Sequence, residues 1–288
     1  MCAQEKGKAV NDDERTRKEK RRDEMLDKVK EVEKEFHLNL VEFNLKNNGL
    51  GSAAGKILGK LVTVASSLEV LTLDHCSLDA KAGETLGLAL ETNTRLRTLK
   101  LRHNTLGKEG AKALAAGLRH NKTLQVLDLS GNGIGVSGAR AIAGTLADNA
   151  SLTELNLFGN LVDVDGARDL AKALATNKTL VKLDLGLNRI RDKGAQAIAQ
   201  AMASAEQLTE IGLKLNFIKD HGALAVAKAV SVSPAIRSFK LAGNQLEDET
   251  LLAINDLIKS PHISFDLAPR VALLVRSLTV PTPHSQAR

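Results

Sequence analysis

The chain contains no tryptophan and no tyrosine, and only six phenylalanines in 288 residues. Aromatic platforms for stacking nucleic-acid bases, and aromatic-lined pockets for small ligands, therefore have almost nothing to be built from, and leucine and alanine must fill the core. Cysteine is equally scarce: Cys2 and Cys76 are the two present, in keeping with a reduced, intracellular protein rather than a disulfide framework. The N-terminus lacks an apolar segment of the secretory kind, and no apolar run is long enough to span a bilayer. Catalytic signatures are missing as well, since no G-x-x-x-x-G-K-[ST], H-E-x-x-H or G-x-S-x-G motif occurs.

Charge is present but unevenly placed. The formal net charge is +6, yet residues 1–37 hold eleven basic and eleven acidic side chains, and residues 259–288 contribute four basic against one acidic. Only +3 is left for the long middle of the chain, too little for the basic stripe that a phosphate backbone requires. Nucleic acid is thus disfavoured as a partner.

From Asp12 to His37 the chain is almost wholly charged, with Met25, Val29, Val32 and Phe36 spaced as one stripe of a helix. This stripe predicts a helix folded over the open end of the first repeat unit, in preference to a free coiled-coil arm. The run RTRKEKRR from Arg15 reads as a solvated helix face because acids are interspersed around it.

The middle of the chain is a tandem repeat. The stretch LQVLDLSGNGIG from Leu124 has the form L-x-x-L-x-L-x-x-N, and the pattern restarts at Leu40, Leu68, Leu96, Leu124, Leu152, Leu180, Leu208 and Ile236, always 28 residues apart. The ninth slot holds asparagine at 48, 104, 132, 160, 188, 216 and 244, with Cys76 the single exception. A Gly-Ala pair opens an apolar helical stripe in five of the units, as at Gly138-Ala139. Slots four and six point into the core, whereas slots three and five point out, because side chains alternate along a strand. The strands should pair in parallel through intervening helices, and the slot-nine asparagine should bond the backbones of its own and the adjacent repeat. Strands stack about 4.8 Å apart while helices need about 10 Å, so the strand side becomes concave. Three N-x-[ST] triplets, at Asn121, Asn149 and Asn177, recur at one point of the repeat and read as structural.

The 28-residue period, the GAxxLAxxL-type helix and the asparagine or cysteine after each strand resemble the ribonuclease-inhibitor-like class of leucine-rich repeats, from Leu40 to about Ile263. The resemblance implies an α/β right-handed solenoid, or horseshoe, of eight repeats, with parallel strands on the concave face and helices on the convex face. Three segments are expected: a charged arm with a capping helix at 1–39, the repeat domain at 40–263, and a C-terminal cap and tail at 264–288. Ile263, Phe265 and Leu267 alternate like one more strand, Ser260-Pro261 should end the last helix, and residues 271–275 of the run VALLVRSLTV from Val271 should pack against the last repeat, the alternative being an apolar peptide that docks on another subunit.

No catalytic residue, cofactor, small molecule or metal is expected. His75, His103 and Cys76 come near a ligand set, but Cys76 belongs to the core ladder. On the outward slots, Asp74 beside Arg102, Lys100 beside Asp128, and Glu154-Lys182-Glu210 are expected ion pairs across the sheet. The candidate partner site is an apolar patch of Phe158, Val126, Leu187 and Leu215 flanked by Lys182 and Lys214. The function expected is a non-enzymatic scaffold for protein partners, a subunit of a larger intracellular assembly, placed by resemblance in the cytoplasm and in a cytoskeletal, ciliary or axonemal setting. The alternative is a GTPase activator resembling the Ran GTPase-activating protein, although that family carries a longer array and an acidic tail where this chain has a basic one.

Overall fold

A computed structural model describes residues 40–258, 261–267 and 270–274. The expected arm at 1–39 and most of the tail lie outside the described residues. Nine strands form one parallel sheet in chain order: β1 (Glu42–Asn44), β2 (Val70–Thr72), β3 (Thr98–Lys100), β4 (Val126–Asp128), β5 (Glu154–Asn156), β6 (Lys182–Asp184), β7 (Glu210–Gly212), β8 (Ser238–Lys240) and β9 (Ser264–Phe265). Between them run α1 (Ala54–Val64), α2 (Ala80–Thr92), α3 (Gly107–His120), α4 (Gly135–Leu146), α5 (Val164–Thr176), α6 (Arg191–Met202), α7 (Asp220–Val232) and α8 (Asp248–Leu257). From β1 to β8, pairing joins residues 28 apart, such as Leu127 with Leu155, so the repeat register in the sequence is the hydrogen-bond register of the sheet. The fold is an α/β solenoid with an open sheet, the horseshoe implied by the repeat. The ninth strand is the one anticipated around Phe265, whose ring stacks on Phe239 at 5.6 Å. Helix α8 already closes at Leu257, ahead of Ser260-Pro261.

One continuous core runs between sheet and helices. Leu127 and Leu129 of slots four and six are buried, as are Ile142 and Leu146 on the inner face of α4. At the first repeat the equivalent residues Leu40, Phe43 and Leu45 are only half-buried, because among the described residues β1 is the edge of the sheet. That end of the core is open among the described residues.

Two asparagine ladders tie successive units. In the first, Asn132 Nδ2 donates to the carbonyls of Leu101 in the preceding repeat and Leu129 in its own, at 2.8 and 2.9 Å. Its Oδ1 accepts the Leu106 N–H, and Asn160 takes the Asn132 and Ile134 N–H groups in the same manner. Cys76 substitutes by donating its thiol to Leu45 O at 3.0 Å. Burial pushes that thiol's pKa up, and the Asp74 charge adds to this against the opposing Asn48 backbone contact, so the donor form is the favoured one. The second ladder follows the helices: Asn93, Asn121, Asn149 and Asn177 donate to the carbonyls of Val62, Leu90, Leu118 and Leu146 at the preceding helix end. Their Oδ1 atoms turn back on the next strand, as at Leu124 N–H, 2.7 Å. The asparagines of the three N-x-[ST] triplets are therefore buried structural elements.

The loops between strand and helix are not uniform, although the repeat length is. Slot eight is left-handed in every unit, from Asn47 to Gly243. Beyond it, some repeats place the next positive φ at slot ten, as Ser77, Leu161 and Phe217 do, and others at slot twelve, as Gly107 and Arg191 do. In the first kind, slot twelve is extended and begins the helix; Asp79 and Asp163 cap α2 and α5 with their carboxylates. Neighbouring loops of the two kinds mate through short bridges, Asp79 with Thr105 and Asp163 with Arg189.

Glycine sets the helix spacing at one place above all. A Cβ on Gly83 of α2 would lie 2.6 Å from Gly110 Cα of α3, and one on Gly117 would run into Gly87 O. These two helices touch backbone to backbone.

Candidate partner-binding surface

The concave face is polar and charge-balanced. Lys182 on β6 bridges Glu154 at 3.1 Å and Glu210 at 3.8 Å, which matches the expected triad. Glu154, first through its hydrogen bond, raises the Lys182 pKa. Two other expected pairs form differently. Arg102 reaches Asp128 at 2.8 Å, and this hydrogen bond is the main reason its pKa is raised, so Asp128 is engaged by Arg102 and not by the expected Lys100. Asp74 is buried and accepts the backbone N–H of Arg102 instead of its guanidinium, at 2.9 Å. The physical reason is local: past the strand end the slot-seven N–H needs an acceptor, which slot five usually supplies; Arg102 has Lys100 there, which cannot accept, and Asp74 at slot seven of the preceding repeat takes its place. Asn44, Asp128, Asn156 and Asp184 all accept from the N–H two residues on, at 2.8 to 3.1 Å. Several outward carboxylates thus serve the backbone first.

The six expected partner residues do not form one patch. Val126, at the start of β4, lines the concave hollow with Glu154, Lys182 and Asp184. Phe158, Leu187, Lys214 and Leu215 lie past the other end of the strands, about 13 Å along from slot three. Lys182 is held by its two glutamates and Lys214 by Asp266 at 3.1 Å, so neither lysine is a free flank. The Phe158 ring lies over Gly186, where a Cβ would meet it at 2.6 Å. Leu187 overlies Gly159 and Leu215 overlies Gly243 in the same way, yet both remain 49% and 44% exposed.

Two further residues join them. Leu161 and Phe217 are exposed at the rim, at 51% and 54%. The sequence signal for them is the slot-ten column: Gly49, Ser77, Thr105, Gly133, Arg189 and Gln245 are polar or small, and only these two are large and apolar. The rim of repeats five to seven therefore presents Phe158, Leu161, Leu187, Leu215 and Phe217. The last four all hold positive φ, from 50° to 62°. Next to Phe217 an open groove is lined by Arg189, Arg191, Lys193 and Lys219.

His75 and His103 stack at 4.6 Å, while the Cys76 thiol faces the core toward Leu45 O. The three thus diverge, and among the described residues no group of three or more His, Cys, Asp or Glu side chains is placed to hold a metal ion. No helix of the described residues is long and apolar enough to cross a membrane.

Comparison with known proteins agrees with the repeat geometry. The family model described as Leucine Rich repeat matches residues 92–115, 120–143, 148–171 and 176–199. No curated protein matches the chain in sequence. Among solved structures, leiomodin-1 actin-binding site 2 is similar over 52% of this chain and 87% of its own, at 20% identity and a TM-score of 0.46. The tropomodulin C-terminal domain of Caenorhabditis elegans is similar over 51% of this chain and 90% of its own, at 18% identity and a TM-score of 0.44. The family model thus identifies leucine-rich repeats between residues 92 and 199, and all eight strand–helix units share their unbroken 28-residue register, which makes this a leucine-rich repeat protein.

Proposed function

We propose that the protein is a non-enzymatic scaffold that captures a protein partner on the rim of repeats five to seven. The observation that carries this is the conformation of the rim residues. A leucine or phenylalanine at positive φ costs about 1 kcal/mol, and leaving it half in water forgoes part of its burial energy. Leu161, Leu187, Leu215 and Phe217 carry both penalties on consecutive repeats. Glycine, used at Gly131 and Gly159 in the column of Leu187 and Leu215, would relieve the first. A bound partner supplies the missing burial, and strained exposed side chains are a usual feature of binding sites.

The test is a photo-crosslinking residue placed at Leu187, with Ile57 on the outer face of α1 as the control, in extract of the native cell. Crosslinks to a defined partner from position 187 and none from 57 are expected. Leu187→Asp combined with Leu215→Asp should weaken capture by about 1–3 kcal/mol, roughly ten- to hundredfold, with the array still folded. Equal crosslinking from both positions refutes the rim. The cytoskeletal or ciliary placement is supported by the class resemblance of the repeats, and a diffuse distribution of the tagged protein refutes it.

A further inference from the structure

On the concave face three cations are paired, while Lys100 and Lys240 form no ion pair among the described residues; beside the rim, four such cations gather in one groove. Arg102, Lys182 and Lys214 each sit within 3.1 Å of a carboxylate oxygen. Arg189, Arg191, Lys193 and Lys219, by contrast, line the groove around Phe217 and form no ion pair among the described residues. The one carboxylate in that groove, Asp192, is committed to structure: its Oδ1 accepts the Lys219 backbone N–H at 2.7 Å, where α7 begins. Asp220, next in sequence to Lys219, is outside that lining and accepts the Glu247 backbone N–H at 3.0 Å, and Glu247, Asp248 and Glu249 follow in repeat eight. Within it, Phe217 projects between Arg189 and Gln245, its slot-ten neighbours in the adjacent repeats.

We infer that this groove receives an acidic protein segment bearing one large apolar side chain, whose carboxylates engage Arg189, Arg191, Lys193 and Lys219 while the apolar group packs on Phe217. The inference rests on the rim reading above and specifies the chemistry of its occupant. Charge complementarity selects an acidic partner, because four cations without ion pairs in one groove repel a basic one and leave a neutral one unrewarded. The half-exposed Phe217 ring selects for an apolar anchor and against bare polyanions, which gain nothing from it. Adjacent repeats lie about 4.8 Å apart, so Arg189 to Gln245 spans about 10 Å, the reach of three extended residues. The recognised core is therefore short: acid, apolar residue, acid.

A displayed random peptide library panned on the full chain, with counter-selection on Phe217→Gly, tests this. Glycine keeps the positive φ of position 217 and removes only the ring, so the variant folds, and its thermal transition verifies that. Expected are peptides with Asp or Glu on both sides of Leu, Ile, Met or Phe. The synthesised winner, followed by fluorescence anisotropy, should lose at least about tenfold in affinity for Phe217→Gly and for Arg189→Glu with Lys219→Glu, and should weaken as salt rises. Enrichment of neutral or basic peptides, or none that depends on Phe217, overturns the inference. So does a single-stranded oligonucleotide that competes as well as the peptide. If those results appear while position 187 still crosslinks to a partner, the rim reading stands and only the acidic occupant is lost; silence at both refutes both.

Discussion

Asn160→Ala should be among the most damaging single substitutions in this chain, and the structure shows why. The Asn160 side chain is fully buried; its Nδ2 donates to Leu129 O at 2.9 Å and its Oδ1 accepts the N–H groups of Asn132 and Ile134 at 3.0 and 3.4 Å. Truncation does not orphan the carbonyl, because Asn132 Nδ2 still donates to Leu129 O at 2.9 Å. It does orphan the two buried N–H groups of the preceding repeat. Each costs about 1–3 kcal/mol, and with the small void the total is about 3–5 kcal/mol. Cys76→Ala provides the internal control at the same slot. There the acceptor of the thiol, Leu45 O, keeps the Asn48 Nδ2 donor at 3.0 Å, so no carbonyl is orphaned and the loss should be about 1 kcal/mol. The assay is urea unfolding of both variants by far-ultraviolet circular dichroism, with the slope checked against wild type, because repeat arrays lose cooperativity when one interface fails. A loss below about 1 kcal/mol for Asn160→Ala, or one no larger than that of Cys76→Ala, would refute the ladder as a source of stability.

Packing sets three further outcomes. Gly117→Ala should destabilise by about 1–3 kcal/mol because a Cβ there collides with Gly87 O of α2, while Gly144→Ala, inside α4 with nothing within 4 Å, should stabilise by about 0.5–1 kcal/mol; thermal unfolding checks both, and equal signs would contradict the close approach. Cys76 should resist alkylation in the native protein at pH 8 and react at the rate of global opening, since the thiol is buried, hydrogen-bonded and raised in pKa. The sign is that of a raised folded-state value: this stabilisation is complete below the ordinary thiol pKa and is lost as pH rises through the higher one. Rapid labelling of a Cys2→Ser variant in native buffer would contradict it. Deleting residues 1–37 should lower the melting temperature, because Leu40, Phe43 and Leu45 are already half-exposed; an unchanged melting curve would show that the arm covers nothing.

Legibility in the sequence tracks whether a residue's role repeats. The register is readable because every unit obeys the same constraint: Leu127 and Leu129 face the core, and Asn132 must satisfy two backbones, so identical residues return at identical spacing. The buried role of Asn121, Asn149 and Asn177 is inferable from their equivalence alone. The ion pairs are less readable. Slot five looks like surface charge, yet Asp128 and Asp184 first satisfy the N–H two residues on, and Arg102 takes only the remaining oxygen of Asp128. The partner patch is half legible: Leu187, Leu215 and Phe158 do lie at the rim, while Phe217 and Leu161 stand out only against their own column, and Val126 lies at the opposite end of the strands.

The sequence by itself determined the architecture, since a 28-residue period with an apolar face on each half admits one way of burying both halves, strand on strand and helix on helix. It also determined which positions were free to vary. Only the tertiary structure decided what those free positions do. Whether a lysine is available depends on the carboxylate that a neighbouring repeat brings beside it, as Glu154 does for Lys182 and Asp266 for Lys214. Whether a leucine is core or rim depends on the sign of φ at its loop, and alternating loop geometries hide inside a constant repeat length. Such contacts join residues one repeat apart, each individually unconstrained by the pattern, so their pairing is set by packing and not by period.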